Sequence, residues 1–223
     1  MPDQPVIAVI GGAGAEGSGL ALRWAHAGHR VLIGSRNAER AAAKAVELNT
    51  LIGATRLEGL DNRAAAERAQ IVVLTVPYAA QLPTLRDLKP ALAGKILVDV
   101  TVPLVPPRVA RVQLPEGGSA VEIAQRELGP EVKVVSAFQN VSAHHLMDLG
   151  HTVDCDVLVC GDDKDAREAV VALAHAIGLR GLHAGALANS VAAEALTSLL
   201  IFMNRHYKSP GAGIRITGLP GAD

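Results

Sequence analysis

Residues Val6-Ile-Ala-Val-Ile10 form an apolar run that passes directly into Gly11-Gly-Ala-Gly-Ala-Glu-Gly17. A short buried strand followed by a glycine turn has few folding solutions, because the next helix must leave the turn sharply and pack close to the strand. Gly12, Gly14 and Gly17 fall in G-x-G-x-x-G register. Gly12 permits the tight turn, Gly14 lets backbone approach a pyrophosphate, and Gly17 lets the helix lie against the strand. The helix predicted from about Glu16 to Ala27 would aim its free N–H groups and positive end at phosphates. Three glycines alone are a weak signal. A strand before them, a helix after, and then a second strand are the context that a dinucleotide site requires.

The second strand, Arg30-Val-Leu-Ile-Gly34, bears on which nucleotide is bound. A site selective for NAD usually ends this strand with Asp or Glu on the ribose 2′-hydroxyl. Here Ser35 and Arg36 stand at that place, and Arg40 follows one helical turn later. A carboxylate would repel a 2′-phosphate, whereas a guanidinium offers it a planar fork of donors. The sequence therefore predicts NADP(H) over NAD(H), against the plainer reading of two solvated arginines at a strand end.

Strand and helix patterns alternate along the rest of the chain. Helices are expected at about 38–49, 62–69, 80–88, 119–128, 165–177 and 188–207. Ile71-Val-Val-Leu-Thr-Val76 and Lys95-Ile-Leu-Val-Asp-Val100 read as strands buried on both faces, with further strands near 56–58, 133–137, 156–160 and 180–183. Pro103, Pro106 and Pro107 break the pattern into a loop. Such alternation predicts an α/β fold, a Rossmann-type doubly wound parallel sheet. A body over residues 1–184 would be followed by a small C-terminal helical extension over 185–223.

Composition narrows the function classes. Net charge is -1 and aromatic residues make up 2% of the chain. The first argues against a basic nucleic-acid face and the second against base-stacking platforms. Cys155 and Cys160 suit neither a disulfide framework nor a metal site. Met1–Pro5 carries no secretory pattern, and the apolar stretch Leu196 to Met203 is short for a membrane span. The expectation is a cytoplasmic protein with no membrane or nucleic-acid partner. The stretch 196–203 leaves a homodimer open.

In open parallel sheets ligands lie outside the carboxyl ends of the strands. The loops leaving those ends are 11–17, 35–36, 75–78, 101–103 and 138–143, and they are mostly small and apolar. Acid–base candidates there are few: Asp99, His144 and His145. Asp99 reads better as a structural hydrogen-bonding group, adjacent histidines do not face one site, and Asp162-Asp163 reads as a helix cap. No histidine spacing suits a metal. Such scarcity suits hydride transfer between two organic cofactors, which needs alignment more than proton transfer.

With these residues the chain resembles the NADPH-dependent coenzyme F-420 reductases (8-hydroxy-5-deazaflavin:NADP oxidoreductases). The likeness is carried by 11–17, Val31-Leu-Ile-Gly-Ser-Arg36, Val73-Leu-Thr-Val-Pro77, Val157-Leu-Val-Cys-Gly-Asp-Asp163, Ala184-Gly-Ala-Leu-Ala-Asn-Ser190 and Gly213-Ile-Arg215. The resemblance implies reversible hydride transfer between C4 of the nicotinamide of NADP(H) and C5 of the deazaflavin. It implies that Ala13, Gly14, Ala15 and Glu16 hold the pyrophosphate and that Ser35, Arg36 and Arg40 hold the 2′-phosphate. Val76, Tyr78, Leu82, Val102 and Ala143 match positions lining the NADP site. Ala212 matches a backbone contact to the deazaflavin, so segment 185–223 would complete that pocket. The chain departs from some members at Tyr78, where they carry Trp, and at Gln139 and Ser142, where they carry His and Pro.

Other readings are an NADP-dependent reductase of another flavin or small metabolite, or a non-catalytic NADP sensor. A hydroxyacid dehydrogenase would place a Lys in helix 188–207. That helix offers Asn189 and Asn204, and Lys208 falls just beyond it.

Overall fold

A computed structural model of the chain describes residues 4–219; residues 1–3 of the amino-terminal segment and 220–223 of the tail lie outside the described residues. The first part of the chain runs β1 (Ile7–Ile10), α1 (Ala15–His26), β2 (Val31–Ser35), α2 (Ala38–Ile52), β3 (Leu57–Asp61), α3 (Asn62–Arg68), β4 (Ile71–Leu74), α4 (Tyr78–Leu92) and β5 (Ile96–Asp99). After the proline-rich loop come α5 (Ala120–Leu128), β6 (Lys133–Ser136) and a single turn, α6 (Ala143–Leu146). The chain ends with β7 (Asp156–Gly161), α7 (Lys164–Ala176), β8 (Arg180–Gly185) and, past a 3-10 turn, α8 (Ser190–Tyr207).

All strands join one sheet in the order β3-β2-β1-β4-β5-β6-β7-β8. β1 is flanked by β2 and β4, so the direction of winding switches there. One pairing departs from the expected all-parallel sheet: β7 runs antiparallel to β6, with Ser136 opposite Cys160. Its cause is the 137–155 connection. It holds only the single turn α6, too little to cross a sheet face, so the chain turns back at the end where β6 leaves. Helix α4 also runs longer than its sequence pattern, passing through Pro83 and Pro90. Buried Leu85, Leu88 and Leu92 hold it against the sheet despite the lost backbone donors.

Side chains of alternate strand residues feed two cores, one on each face. Ile7, Val9 and Val73 point to one side, Ala8, Ile10, Val72 and Leu74 to the other. Trp24 on α1 is fully buried in the first core, where its Nε1 donates to Leu173 O on α7 at 3.0 Å and its ring meets Phe138 edge-on. The cap expected at Asp162-Asp163 is in place, Asp163 accepting from Ala166 N, and Ser119 forms a capping box with Glu122.

Helix α8 lies against this body through polar as well as apolar groups. Its buried Glu194 accepts from Ala120 N and Val121 N at 2.8 and 3.1 Å, capping α5 from a distance. Residues Leu187–Tyr207 are long and apolar enough, by length and composition, to cross a membrane, with a mean hydropathy of 1.3. The short apolar run noted in the sequence is thus part of a longer span. In the fold this helix is bonded through Ser190, Glu194, Thr197 and Asn204.

The tail returns along β7. Asp156 N donates to Ile214 O, and the buried Asp156 carboxylate accepts from Ile216 N and from both arms of Arg180. Arg180 holds the Asp156 carboxyl below the usual range. A carboxylate so depressed contributes stability that is complete above its unfolded value and disappears as pH falls through the lower folded value. Arg180→Met should therefore lower stability at pH 7, since the Asp156 carboxylate loses its main partner and keeps only Arg215 and Ile216 N. Urea melts should show that difference narrowing below about pH 4.

Candidate active site

A cavity of about 880 Å³ opens at the carboxyl ends of β1, β2, β4 and β5. Its floor begins with the glycine turn. A methyl group on Gly12 would come within 2.7 Å of Val9 O, and one on Gly17 within 2.5 Å of Thr75 Oγ1. These two glycines do not line the cavity; they let the turn lie flat on β1 and β4. Gly14 does line it, and only Gly11 O at 3.2 Å would be near an added methyl, so its backbone faces open space. Gly14 caps α1 without a side-chain bond, leaving the first-turn N–H groups toward the cavity for an anion.

Ala13, Ala15 and Glu16 line the same wall. Glu16 is partly exposed as a residue, but its Oε1 is shut off from solvent without a partner, and burial pushes the carboxyl up to about 8. It is the one carboxylic acid among the described lining residues.

Ser35, Arg36 and Arg40 form the far end. Asn37 caps α2 by accepting from Arg40 N at 2.8 Å, which sets the two arginines one turn apart. Arg40 Nη2 reaches Ala13 O at 3.5 Å, bridging the end of β2 to the glycine turn. Arg36 is exposed and has no hydrogen bond or ion pair among the described residues. An unpaired guanidinium beside a second arginine, with no carboxylate at the strand end, fits a phosphate on the ribose 2′ position.

Val76, Tyr78 and Val102 line the middle of the cavity. Leu82 and Ala143 do not. Leu82 is half-buried one turn along α4 from Tyr78. Ala143 opens α6, and the chain after it is drawn toward α1. There the buried Arg23 donates to the carbonyls of His145, Leu146, Asp148 and His151 at 2.6–3.0 Å. Ala212 lies in a second cavity of about 280 Å³ with Ser142, His145 and Cys155. The segment 139–142 separates the two spaces: Gln139 and Val141 face the larger, Asn140 and Ser142 the smaller.

Asp99 is fully buried, accepts from Gln81 Nε2 and Thr101 N, and is structural. His145 stacks on His151 at the smaller cavity, away from the glycine turn. Among the described residues no group of His, Cys, Asp and Glu has the arrangement of a metal site. Sequence reasoning missed Asn62 on α3, Leu104 and Val109 in the proline loop, and Thr197 on α8. Nothing in the local pattern marks them, because their place on the wall is set by how distant segments pack.

Residues 6–103 match the family model described as "NADP oxidoreductase coenzyme F420-dependent". The chain is 44% identical over 221 residues to the F420-dependent NADP reductase of Methanocaldococcus jannaschii, covering 96% of this chain and 98% of that one. It is 43% identical to the protein of the same name from Methanothermobacter thermautotrophicus, covering 96% and 95%. A crystal structure from Arthrobacter sp. FB24, provisionally assigned as an F420-dependent NADP-reductase, superposes with a TM-score of 0.81 at 26% identity over 96% of this chain and all of that one. The chain thus belongs to the F420-dependent NADP reductase family.

Proposed function

We propose that this protein transfers a hydride reversibly between NADP(H) and the deazaflavin coenzyme F-420. The observation that carries the nucleotide half is Arg36, unpaired on the wall that begins at the glycine turn. Relatives at 43–44% identity over nearly the whole chain support the deazaflavin half.

In this reading the N–H groups of Ala13 to Glu16 receive the pyrophosphate, and Ser35, Arg36 and Arg40 grip the 2′-phosphate. Val76, Tyr78 and Val102 give the nicotinamide half an apolar bed that excludes water. Leu82 and Ala143 stand off the wall, and their assignment rests on resemblance. When bound, the two rings supply the hydride donor and acceptor. Glu16, Tyr78, Arg36 and Arg40 are the titratable side chains among the described lining residues, and burial pushes Tyr78 above its ordinary value. Glu16 stands at the glycine turn and the two arginines at the 2′-phosphate end, away from the apolar middle that would hold the rings, so in this reading the protein acts by alignment, an effect worth up to about 7–11 kcal/mol in well-oriented reactions.

Residues 1–184 form the nucleotide-binding body. Residues 185–223 complete the site, supported by Thr197 on the larger cavity and Ala212 on the smaller. A cytoplasmic location accords with two free, buried cysteines. A homodimer is supported by Leu199, Phe202, Met203 and Tyr207, exposed at helical spacing along one side of α8.

Mixing the protein with NADPH and oxidised F-420, and following the deazaflavin absorbance, tests the reaction; parallel runs with NADH and FMN test both specificities. No bleaching with NADPH and F-420 would remove the proposal. Arg36→Glu should raise the KM for NADPH about 100-fold, by loss of charge-assisted bonds and added repulsion, with the KM for F-420 nearly unchanged. Because Glu16 ionises above about pH 8, NADP+ affinity should fall several-fold as pH rises through that value. Fluorescence titrations of Glu16→Gln should show that fall abolished. Phe202→Glu should convert a dimer to a monomer in sedimentation equilibrium; a parent that sediments as a monomer rules the dimer out.

A further inference from the structure

The connection from β5 to α5, residues 100–119, is the longest stretch of the described chain without a helix or strand. Connections longer than about 12–15 residues with no secondary structure are uncommon in compact domains and usually serve a function. Pro103 and Ser119, near its two ends, are buried, while every residue from Leu104 to Gly118 is half-buried or exposed.

The hydrogen bonds of this segment turn inward. Gln113 Nε2 donates to Val105 O and Arg108 O at 3.2 and 3.3 Å, Arg108 N donates to Val105 O, and Arg111 N donates to Arg108 O. Among the described residues, no hydrogen bond or ion pair ties residues 102–116 to the rest of the protein. The segment meets the larger cavity through the side chains of Val102, Leu104, Pro106 and Val109. Apolar contact has no preferred direction, so the segment can shift as a unit without breaking a hydrogen bond to the body.

Both ends limit where that motion can occur. Thr101 N donates to Asp99 Oδ1 at 2.9 Å, and Ser119 is fixed by its capping box. Between them, Gly117 and Gly118 have φ 97° and 104°, a region that glycine enters freely. Small residues at the end of an element are where a hinge rotation is absorbed most easily.

We propose that residues 104–116 are a lid, which closes on the nicotinamide half of the bound nucleotide through Leu104, Pro106 and Val109 and swings back about Val102 and Gly117-Gly118 to release it. This rests on the larger cavity being the NADP site. The adenine half takes no part in closure, because β1 and β4 lie between β5, from which the lid springs, and β2, which carries the arginines. Closure over the ring shields the hydride donor from water.

Trypsin reads the lid directly. Arg108 and Arg111 are exposed, and no hydrogen bond or ion pair occupies either guanidinium among the described residues. Without nucleotide, the parent should be nicked after these two residues before any site within a helix or strand. With NADP+ at about ten times its Kd, one molecule in about eleven is free, so nicking should slow about tenfold. At matched occupancy 2′,5′-ADP, which lacks the nicotinamide, should leave the rate unchanged. A parent that resists trypsin at both sites without nucleotide overturns the lid, as does equal protection by the two ligands. The double variant Leu104→Ala/Val109→Ala separates closure from passive cover, since both side chains are half-buried and the fold does not hang on them. It should be nicked with NADP+ bound nearly as fast as without, and acrylamide should quench its bound NADPH fluorescence several-fold more strongly, with 2′,5′-ADP affinity kept. A double variant as protected as the parent overturns the proposal. Arg36→Glu checks the cavity apart from the lid. If it leaves 2′,5′-ADP affinity intact, the nucleotide reading fails and the lid assignment falls with it. If 2′,5′-ADP needs Arg36 and NADP+ still does not slow nicking, only the lid is lost.

Discussion

Helix α1 can sit where it does only because two positions at its start have no side chain. Gly12 and Gly17 bring the turn against Val9 O and Thr75, closer than any methyl group would allow. That approach aims the helix N-terminus into the crevice, and it also seats the rest of the helix. Arg23, near its far end, gathers the four carbonyls of the 145–151 segment, and Trp24 donates to Leu173 O. Gly19 lies against Leu146, where an added methyl would meet Cβ at 2.5 Å. The nucleotide turn, α6 and α7 are therefore positioned by one contact, with Trp24 burial alone contributing about 3–5 kcal/mol.

The electrostatics of the crevice follow from what is absent at each end. At the end of β2 there is no acid to occupy Arg36, so its donors stay available. At the glycine turn there is an acid, Glu16, whose Oε1 is shut off from solvent and whose carboxyl burial pushes up to about 8. A helix N-terminus with a protonated carboxyl beside it keeps its attraction for a phosphate, which an ionised one would oppose. The cations of the crevice thus stand at its Arg36 and Arg40 end, and the middle, with Val76 and Val102, is apolar.

Segment 138–142 links this nucleotide crevice to the smaller cavity at the tail. It leaves β6, turns through the left-handed Phe138, and sends alternate residues to the two spaces. Its supports come from three directions: Asp99 on β5, Thr197 on α8, and Asp156 O on β7, which accepts from Asn140 Nδ2 at 2.7 Å. Asp156 also pins the tail, so the wall between the cavities and the strand that closes the smaller one share an anchor. A wall tied to three elements in this way has few directions in which to move.

The sequence by itself determined the α/β alternation, the glycine turn, the cap at Asp163, and the cationic end at Ser35, Arg36 and Arg40. Each of these is written within a few residues, as spacing, turn chemistry or charge. It also placed Asp99 as structural, because an acid at the end of a buried strand is nearly always hydrogen-bonded. Tertiary structure alone decided the reversal of β7, the proline-tolerant length of α4, the standing-off of Leu82 and Ala143, and the arrival of Thr197, Leu104 and Val109 at the cavity. These depend on contacts such as Gln139 with Asp99, forty residues apart, and Arg23 with Asp148, more than a hundred apart. No local pattern encodes them, since each partner's position is the product of packing the whole sheet.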